Sequence, residues 1–174
     1  MVFYRCLFAI FCLLCTFTTI AKSAAVPNKH ALNIGEVVQL ESAILNEKRN
    51  LNIYLPSSYH KWSNKKYPVI YLLDGSLDED FMHVAGLTQF ASFSWINMLP
   101  ESIVVGIANV DRKRDFTSPT NNKKDKAQFP TTGGSRAFIK FLAEELQPYI
   151  SQNYRVSQHK TLIGQSLGGL LATE

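Results

Sequence analysis

The sequence of 174 residues predicts an α/β fold, in which a mostly parallel sheet carries helices on both faces. Residues 69–73 and 103–107 are apolar runs without alternation, the pattern of strands that are covered on both sides. Residues 78–98 and 133–149 have apolar side chains at helical spacing, so a helix should follow each of these strands. A third apolar run, 161–163, leads into the sequence Gly-x-Ser-x-Gly, and we expect one more strand to end there.

Two further strands are predicted ahead of the parallel part. Residues 36–42 and 50–55 have strand character, and the second alternates apolar with polar side chains. Residues 47–49 should form the hairpin connection between them. Residues 109–130 are predicted to be a long polar loop. The helix over 133–149 could be capped by one of three hydroxyl side chains, those of Thr131, Thr132 and Ser135.

The first 25 residues have the pattern of a signal peptide. Arg5 supplies a positive charge, residues 6–20 are nearly all apolar, and residues 23–25 are small, as signal peptidases require. The alternative is an uncleaved membrane anchor, for which the apolar run is short. We therefore expect a signal peptide over 1–25, one domain over 26–174, and a periplasmic or secreted protein.

Composition excludes several functional classes for that domain. The three cysteines, Cys6, Cys12 and Cys15, all lie in the predicted signal peptide, so the mature chain would have no disulfide, thiolate nucleophile or cysteine metal site. Removing the segment leaves sixteen basic and fourteen acidic residues, a balance too even for nucleic-acid binding. No second apolar segment is long enough to span a bilayer, so no stable membrane insertion is expected after cleavage.

The Gly-x-Ser-x-Gly sequence is formed by Gly164, Ser166 and Gly168. It is the signature of a nucleophile elbow, where the serine takes a strained backbone conformation and the two glycines let strand and helix pass closely. The alternative is a glycine-rich turn of the dinucleotide-binding type, but the spacing G-x-G-x-x-G does not occur. Ser166 is therefore the predicted catalytic nucleophile.

An oxyanion hole can be assigned from two loops that should meet at the carboxyl edge of the sheet. The first donor is the backbone N–H of Leu167, directly after the nucleophile. The second is expected in the loop after the strand 69–73, where Gly75 frees the backbone to turn, and the N–H of Ser76 is the preferred donor. The alternative for that loop is an ordinary Asp-Gly turn at a strand end.

A serine nucleophile needs a base, usually a histidine held by a carboxylate. None of the four histidines, at positions 30, 60, 83 and 159, has a sequence position that suits this role, and each is better explained as a surface or packing residue. Glu174 is the only acidic residue after Ser166 and is too close to it. The catalytic histidine and its acid are therefore not expected within this sequence.

Residues 111–115 place two arginines at the rim of the same edge. Arg112 or Arg114 could bind an anionic or polyphenolic substrate, because a guanidinium group offers a planar fork of donors. The alternative is a solvated charged loop.

Several segments together resemble the putative-esterase family of α/β-hydrolases, which includes siderophore (enterobactin) esterases, esterase D and feruloyl esterases. They are residues 67–75, 104–107, 112–117, 133–138 and 145–150, together with the elbow. The resemblance implies an α/β-hydrolase fold truncated after the nucleophile elbow, and hydrolysis of a carboxylic ester through an acyl-serine without metal or organic cofactor. The substrate would be a small-molecule ester of siderophore-like or aromatic type. Because the family carries its histidine further along, this chain would be an inactive N-terminal portion.

Two other functions are compatible with the same residues. An acyltransferase would resolve the acyl-serine with a sugar or lipid hydroxyl instead of water, and adding an alcohol acceptor would distinguish it from a hydrolase. A non-catalytic binding protein would use the cleft without a complete triad. A histidine encoded further downstream would favour an enzyme over such a protein.

Overall fold

The computed structural model describes residues 28–61 and 64–174, and residues 33–174 form one compact unit. Five strands make a single sheet in the order β1-β2-β4-β3-β5. They are β1 (Gly35–Ser42), β2 (Glu47–Tyr54), β3 (Tyr67–Leu72), β4 (Ile103–Ile107) and β5 (Val156–Ile163). Strands β4, β3 and β5 are mutually parallel, whereas β1 and β2 form an antiparallel hairpin that joins the sheet through β4.

Helices pack on both faces of the sheet, which confirms the predicted α/β fold. One face carries α1 (Phe81–Ala91), and its core includes Phe81 and Ala85 against Ile70, Leu72 and Val104. The other face carries α4 (Ser135–Phe141), α5 (Gln147–Asn153) and α6 (Leu167–Leu171). Side chains that alternate along β3 and β4 supply the two cores, and burial on both faces explains why these two strands are apolar throughout.

The hairpin turn differs from the prediction. The prediction that residues 47–49 form the connection was wrong: they begin β2, and the turn lies at 43–46. Asn46 there has a positive φ of 53°. The Glu145 carboxylate accepts hydrogen bonds from the Ser42 hydroxyl and from the N–H groups of Ala43 and Ile44, at 2.9 and 3.0 Å for the two N–H groups. A side chain about a hundred residues away therefore sets the turn.

Two predicted helices have different limits. The helix expected over 78–98 is shorter, because α1 ends at Ala91 and turns follow. The helix expected over 133–149 begins at Ser135 and continues to Asn153 through a π-helical stretch, Leu142–Leu146. Its N-cap is Gly134, without a side-chain cap, so the predicted hydroxyl cap was wrong.

The segment 109–130 is not only a loop. It contains the short helices α2 (Arg112–Asp115) and α3 (Lys123–Gln128). Each begins with a capping side chain: Asp111 accepts from the Arg114 N–H, and Asn122 accepts from the Lys124 N–H.

Strand β5 pairs with β3 on one side only. Leu162 and Ile163 near its end remain 38% and 37% exposed, so its outer edge has no neighbouring strand among the described residues. None of the helices in the described ranges is long and apolar enough to cross a bilayer. The predicted signal peptide, residues 1–25, lies outside the described residues.

Candidate active site

Ser166 occupies the turn between β5 and α6 in a strained backbone conformation. Its φ of 53° and ψ of −120° lie in a region that non-glycine residues rarely adopt, and it is the N-cap residue of α6. The side chain is exposed. Strain of this kind is maintained only where the surrounding structure requires it, and it is common at active sites.

Gly164 is required by a backbone contact, and Gly168 lies in a tightly packed position. A Cβ atom on Gly164 would lie 2.5 Å from the carbonyl carbon and oxygen of Gly168, far inside van der Waals contact. A Cβ on Gly168 would approach the Asp74 carboxylate at 3.3 Å. The geometry expected for an elbow, with strand and helix passing closely, is therefore present at this turn.

The predicted oxyanion donors are the backbone N–H groups of Leu167 and Ser76. Leu167 is the first residue of α6, so its N–H has no acceptor within the helix. The Ser76 N–H makes only a long hydrogen bond of 3.4 Å to the Glu79 carboxylate, which a better acceptor could replace. The roles of these two N–H groups as oxyanion donors remain predictions.

The Ser76 loop is held close to β4 by another glycine contact. A Cβ on Gly75 would lie 2.4 Å from the Cα of Gly106, and the Gly75 N–H donates to the Ile107 carbonyl at 3.0 Å. The Asn52 side chain donates to the Gly75 carbonyl at 2.7 Å. The loop that follows β3 is thus fixed by backbone contacts on the same sheet edge as the elbow.

An ion pair connects this loop to the elbow. Asp74 is buried, has a positive φ of 54°, and receives two hydrogen bonds from Arg112, Nε to Oδ1 at 2.6 Å and Nη2 to Oδ2 at 2.9 Å. Arg112 Nη2 also lies 3.3 Å from the Gln165 carbonyl oxygen, and Asn109 donates to Asp74 at 2.7 Å. The hydrogen bond to Asp74 raises the pKa of Arg112, against the smaller opposing effect of burial.

Arg114 has a different set of partners. Its Nε donates to Asp115 at 2.7 Å and its Nη2 to Glu47 at 2.7 Å, and these contacts raise its pKa. Asp115 also binds the fully buried Arg49, whose guanidinium lies 5.2 Å from the centroid of the Phe138 ring. Both arginines that were predicted to bind substrate therefore have intramolecular carboxylate partners, and substrate binding by either remains a prediction.

Within residues 28–61 and 64–174, no histidine side chain is hydrogen-bonded to the Ser166 hydroxyl. The four histidines, His30, His60, His83 and His159, are all exposed. Within the described part of the chain, no group of three or more His, Cys, Asp or Glu side chains could hold a metal ion.

The partnership of Asp74 with Arg112 was missed in the sequence. Asp74 was interpreted as part of the oxyanion loop or of an ordinary Asp-Gly turn, and Arg112 as a substrate ligand or part of a solvated charged loop. The available signal was the position of both residues in loops that leave adjacent parallel strands at the same edge. Opposite charges at two such positions can meet without any sequence motif.

Comparison with known proteins gives the same fold and a family. The family model described as Putative esterase matches residues 42–173. The ferri-bacillibactin esterase BesA of Bacillus subtilis is 32% identical over an alignment of 142 residues, which covers 74% of this chain and 49% of that protein.

Solved structures of similar proteins have the same fold. An IroE-like serine hydrolase from Shewanella oneidensis is 36% identical, with a TM-score of 0.69 over 79% of this chain and 44% of that one. The BES protein from Bacillus cereus is 26% identical, with a TM-score of 0.69 over 84% and 59%. The chain spans about half the length of the curated relatives that it matches. By the extent of the family match, the chain belongs to the Putative esterase family of α/β-hydrolase fold.

Proposed function

We propose that this chain carries the nucleophile and oxyanion donors of an exported serine esterase. The observation that carries the proposal is the strained conformation of Ser166 at the start of α6. In the reaction, the Ser166 Oγ attacks the ester carbonyl carbon while a base takes its proton. The oxyanion that forms accepts hydrogen bonds from the N–H groups of Leu167 and Ser76. The alcohol then leaves with a proton, and water hydrolyses the acyl-serine to release the acid.

We propose further that the base and its acid come from a segment beyond these residues. Three observations support this. No histidine of the sheet-bearing unit bonds to Ser166. The relatives are about twice as long as the part that they share with this chain. The outer edge of β5 also leaves Leu162 and Ile163 partly exposed, as expected for a strand that another strand would cover.

The substrate class rests on the relatives. One of them is named a ferri-bacillibactin esterase, and the IroE-like protein is a serine hydrolase. We propose a small-molecule carboxylic ester of siderophore-like or aromatic type, hydrolysed without a metal or organic cofactor. Arg112 uses its Nε and Nη2 groups on Asp74, so its proposed role is to hold the Asp74 loop against the elbow.

Export rests on the signal-peptide pattern of residues 1–25. N-terminal sequencing of protein recovered from the periplasm or medium should give a chain that begins near Val26. Recovery of the intact N-terminus in the cytoplasm would contradict export. This measurement is independent of catalysis.

The test of the esterase uses the gene product together with its downstream reading frame, assayed with p-nitrophenyl esters and a ferric siderophore ester. Ser166→Ala should reduce turnover to background, whereas Ser151→Ala, an exposed serine of α5, should not change it. A mass increase equal to the acyl group should appear on the wild-type protein and not on Ser166→Ala. Undiminished turnover in Ser166→Ala would refute the nucleophile assignment.

Two further measurements separate the parts of the proposal. The chain ending at Glu174 should show no turnover, and activity equal to that of the longer product would refute an external base. Formation of a transfer product with an added alcohol, in place of free acid, would identify an acyltransferase.

A further inference from the structure

A cleft of about 520 Å³ lies at the edge of the sheet opposite Ser166. It is lined by the residues that lead into β3 and β4, among them Lys65, Lys66 and Glu101, and by the turns that follow α1. Ser166 follows the carboxyl end of β5, whereas these residues precede the amino ends of the parallel strands. The cleft is therefore separate from the candidate active site.

Its most prominent feature is an exposed tryptophan that stacks on a half-buried phenylalanine. Trp95 is 75% exposed and stacks on Phe93, with ring centroids 4.6 Å apart and an interplanar angle of 18°. Phe90 supports Phe93 at 6.0 Å in an edge-on contact. The stacking holds the Trp95 ring from one side, and its high exposure leaves apolar area of this cleft-lining side chain uncovered. A flat apolar group could pack against that area.

The charges in the cleft leave one lysine without a counter-charge. Lys65 pairs with Glu101 and lies 5.0 Å above the Tyr67 ring centroid. Burial by itself raises the pKa of Glu101, but hydrogen bonds from Lys65 and Ser58 outweigh it and lower the pKa, so this carboxylate cancels the Lys65 charge at neutral pH. Lys66 is exposed and has no ion pair with any residue of 28–61 or 64–174.

From this combination we propose that the cleft is a binding site for a small aromatic carboxylate. The flat ring packs on Trp95, and the carboxylate pairs with Lys66. The polar side chains of Ser92 and Ser94 also line the cleft and can hydrogen-bond to ring substituents. A saccharide could also stack on Trp95, but it carries no negative charge to pair with Lys66. The unpaired charge of Lys66 therefore favours an aromatic carboxylate over a saccharide.

The test is calorimetric titration of the full chain with 2-naphthoate, and with 2-naphthalenemethanol as the neutral ligand of similar shape. The carboxylate should bind about fivefold more tightly, the effect of one exposed charge pair. Lys66→Gln should remove this preference while keeping the binding of the alcohol. Lys124→Gln, an exposed lysine of α3, is the matched control and should leave the preference unchanged.

The aromatic contact is tested with Trp95→Ala, which should weaken both ligands about tenfold. Met82→Ala, which removes an exposed apolar side chain of α1 that does not line the cleft, should have no effect. Equal affinity of Trp95→Ala and wild type would overturn the proposal, as would equal binding of the acid and the alcohol. Binding of a disaccharide such as cellobiose in place of naphthoate would also overturn it. Esterase activity enters none of these measurements.

Discussion

Substitution of Gly164 by alanine tests the steric basis of the elbow. The added Cβ would lie 2.5 Å from the carbonyl carbon and oxygen of Gly168 and 3.0 Å from Leu73 Cδ1. The Leu73 side chain can move, but the Gly168 atoms belong to the backbone of α6. Inserting a methyl group into a packed region costs about 1–3 kcal/mol. Because the contact here is with backbone, we expect the free energy of unfolding to fall by about 3 kcal/mol.

Gly86→Ala is the matched control for this substitution. Gly86 lies inside α1, and a Cβ built on it meets nothing within 4 Å. Alanine should therefore stabilise the helix by about 0.5–1 kcal/mol, because glycine is a poor helix former.

Both variants are measured by urea denaturation, followed by far-UV circular dichroism, with the m-value compared to that of the wild type. The reasoning would be refuted if the free energy of unfolding of Gly164→Ala were within about 0.5 kcal/mol of the wild-type value while Gly86→Ala is stabilised. Such a result would mean that strand and helix can move apart at the elbow without lowering the free energy of unfolding. The glycine spacing would then not be explained by close packing around Ser166.

Three other substitutions test the charged groups by the same measurement. Asp115→Asn should cost about 3 kcal/mol, because the buried Arg49 loses its most buried counter-charge; unchanged stability would contradict this. Glu145→Ala should cost about 2 kcal/mol through the hydrogen bonds of the hairpin turn, against about 0.5 or less for the exposed Glu144→Ala, and equal losses would be inconsistent with that role. The lowered pKa of Glu101 means that the folded state binds fewer protons than the unfolded state, so wild type should lose stability as pH falls through about 4.5 and below. Glu101→Gln should flatten that decline, and a parallel pH curve would disprove the assignment.

The parts of the fold that were predicted correctly depend on local sequence. Strands β3 and β4 are apolar throughout because both faces are covered, and that pattern is visible in a single sequence. The hairpin turn was misplaced because its acceptor, Glu145, lies in a helix about a hundred residues further along. The end of α1 was misplaced because residues 92–98 keep apolar side chains, several of which remain exposed beyond the helix.

The candidate site also has one feature that the local sequence predicts and one that it does not. The turn at Ser166 could be predicted because a strained residue between a strand and a helix needs glycine at fixed spacing. The pairing of Asp74 with Arg112 has no such sequence motif, since it depends on which loops meet in space. No spacing rule connects two residues whose contact arises from adjacent strands.

The predicted oxyanion donors and the predicted nucleophile are held by contacts that need no histidine. The loop after β3 is fixed by Gly75 against Gly106, the elbow by Gly164 against Gly168, and the two are connected through Arg112. These contacts lie within the parallel strands, the loops at their carboxyl ends and the first turn of α6. The geometry that would bind an oxyanion can therefore form before a base is present. A base delivered by a further segment would have to meet an already positioned Ser166, and it would not need to create that position.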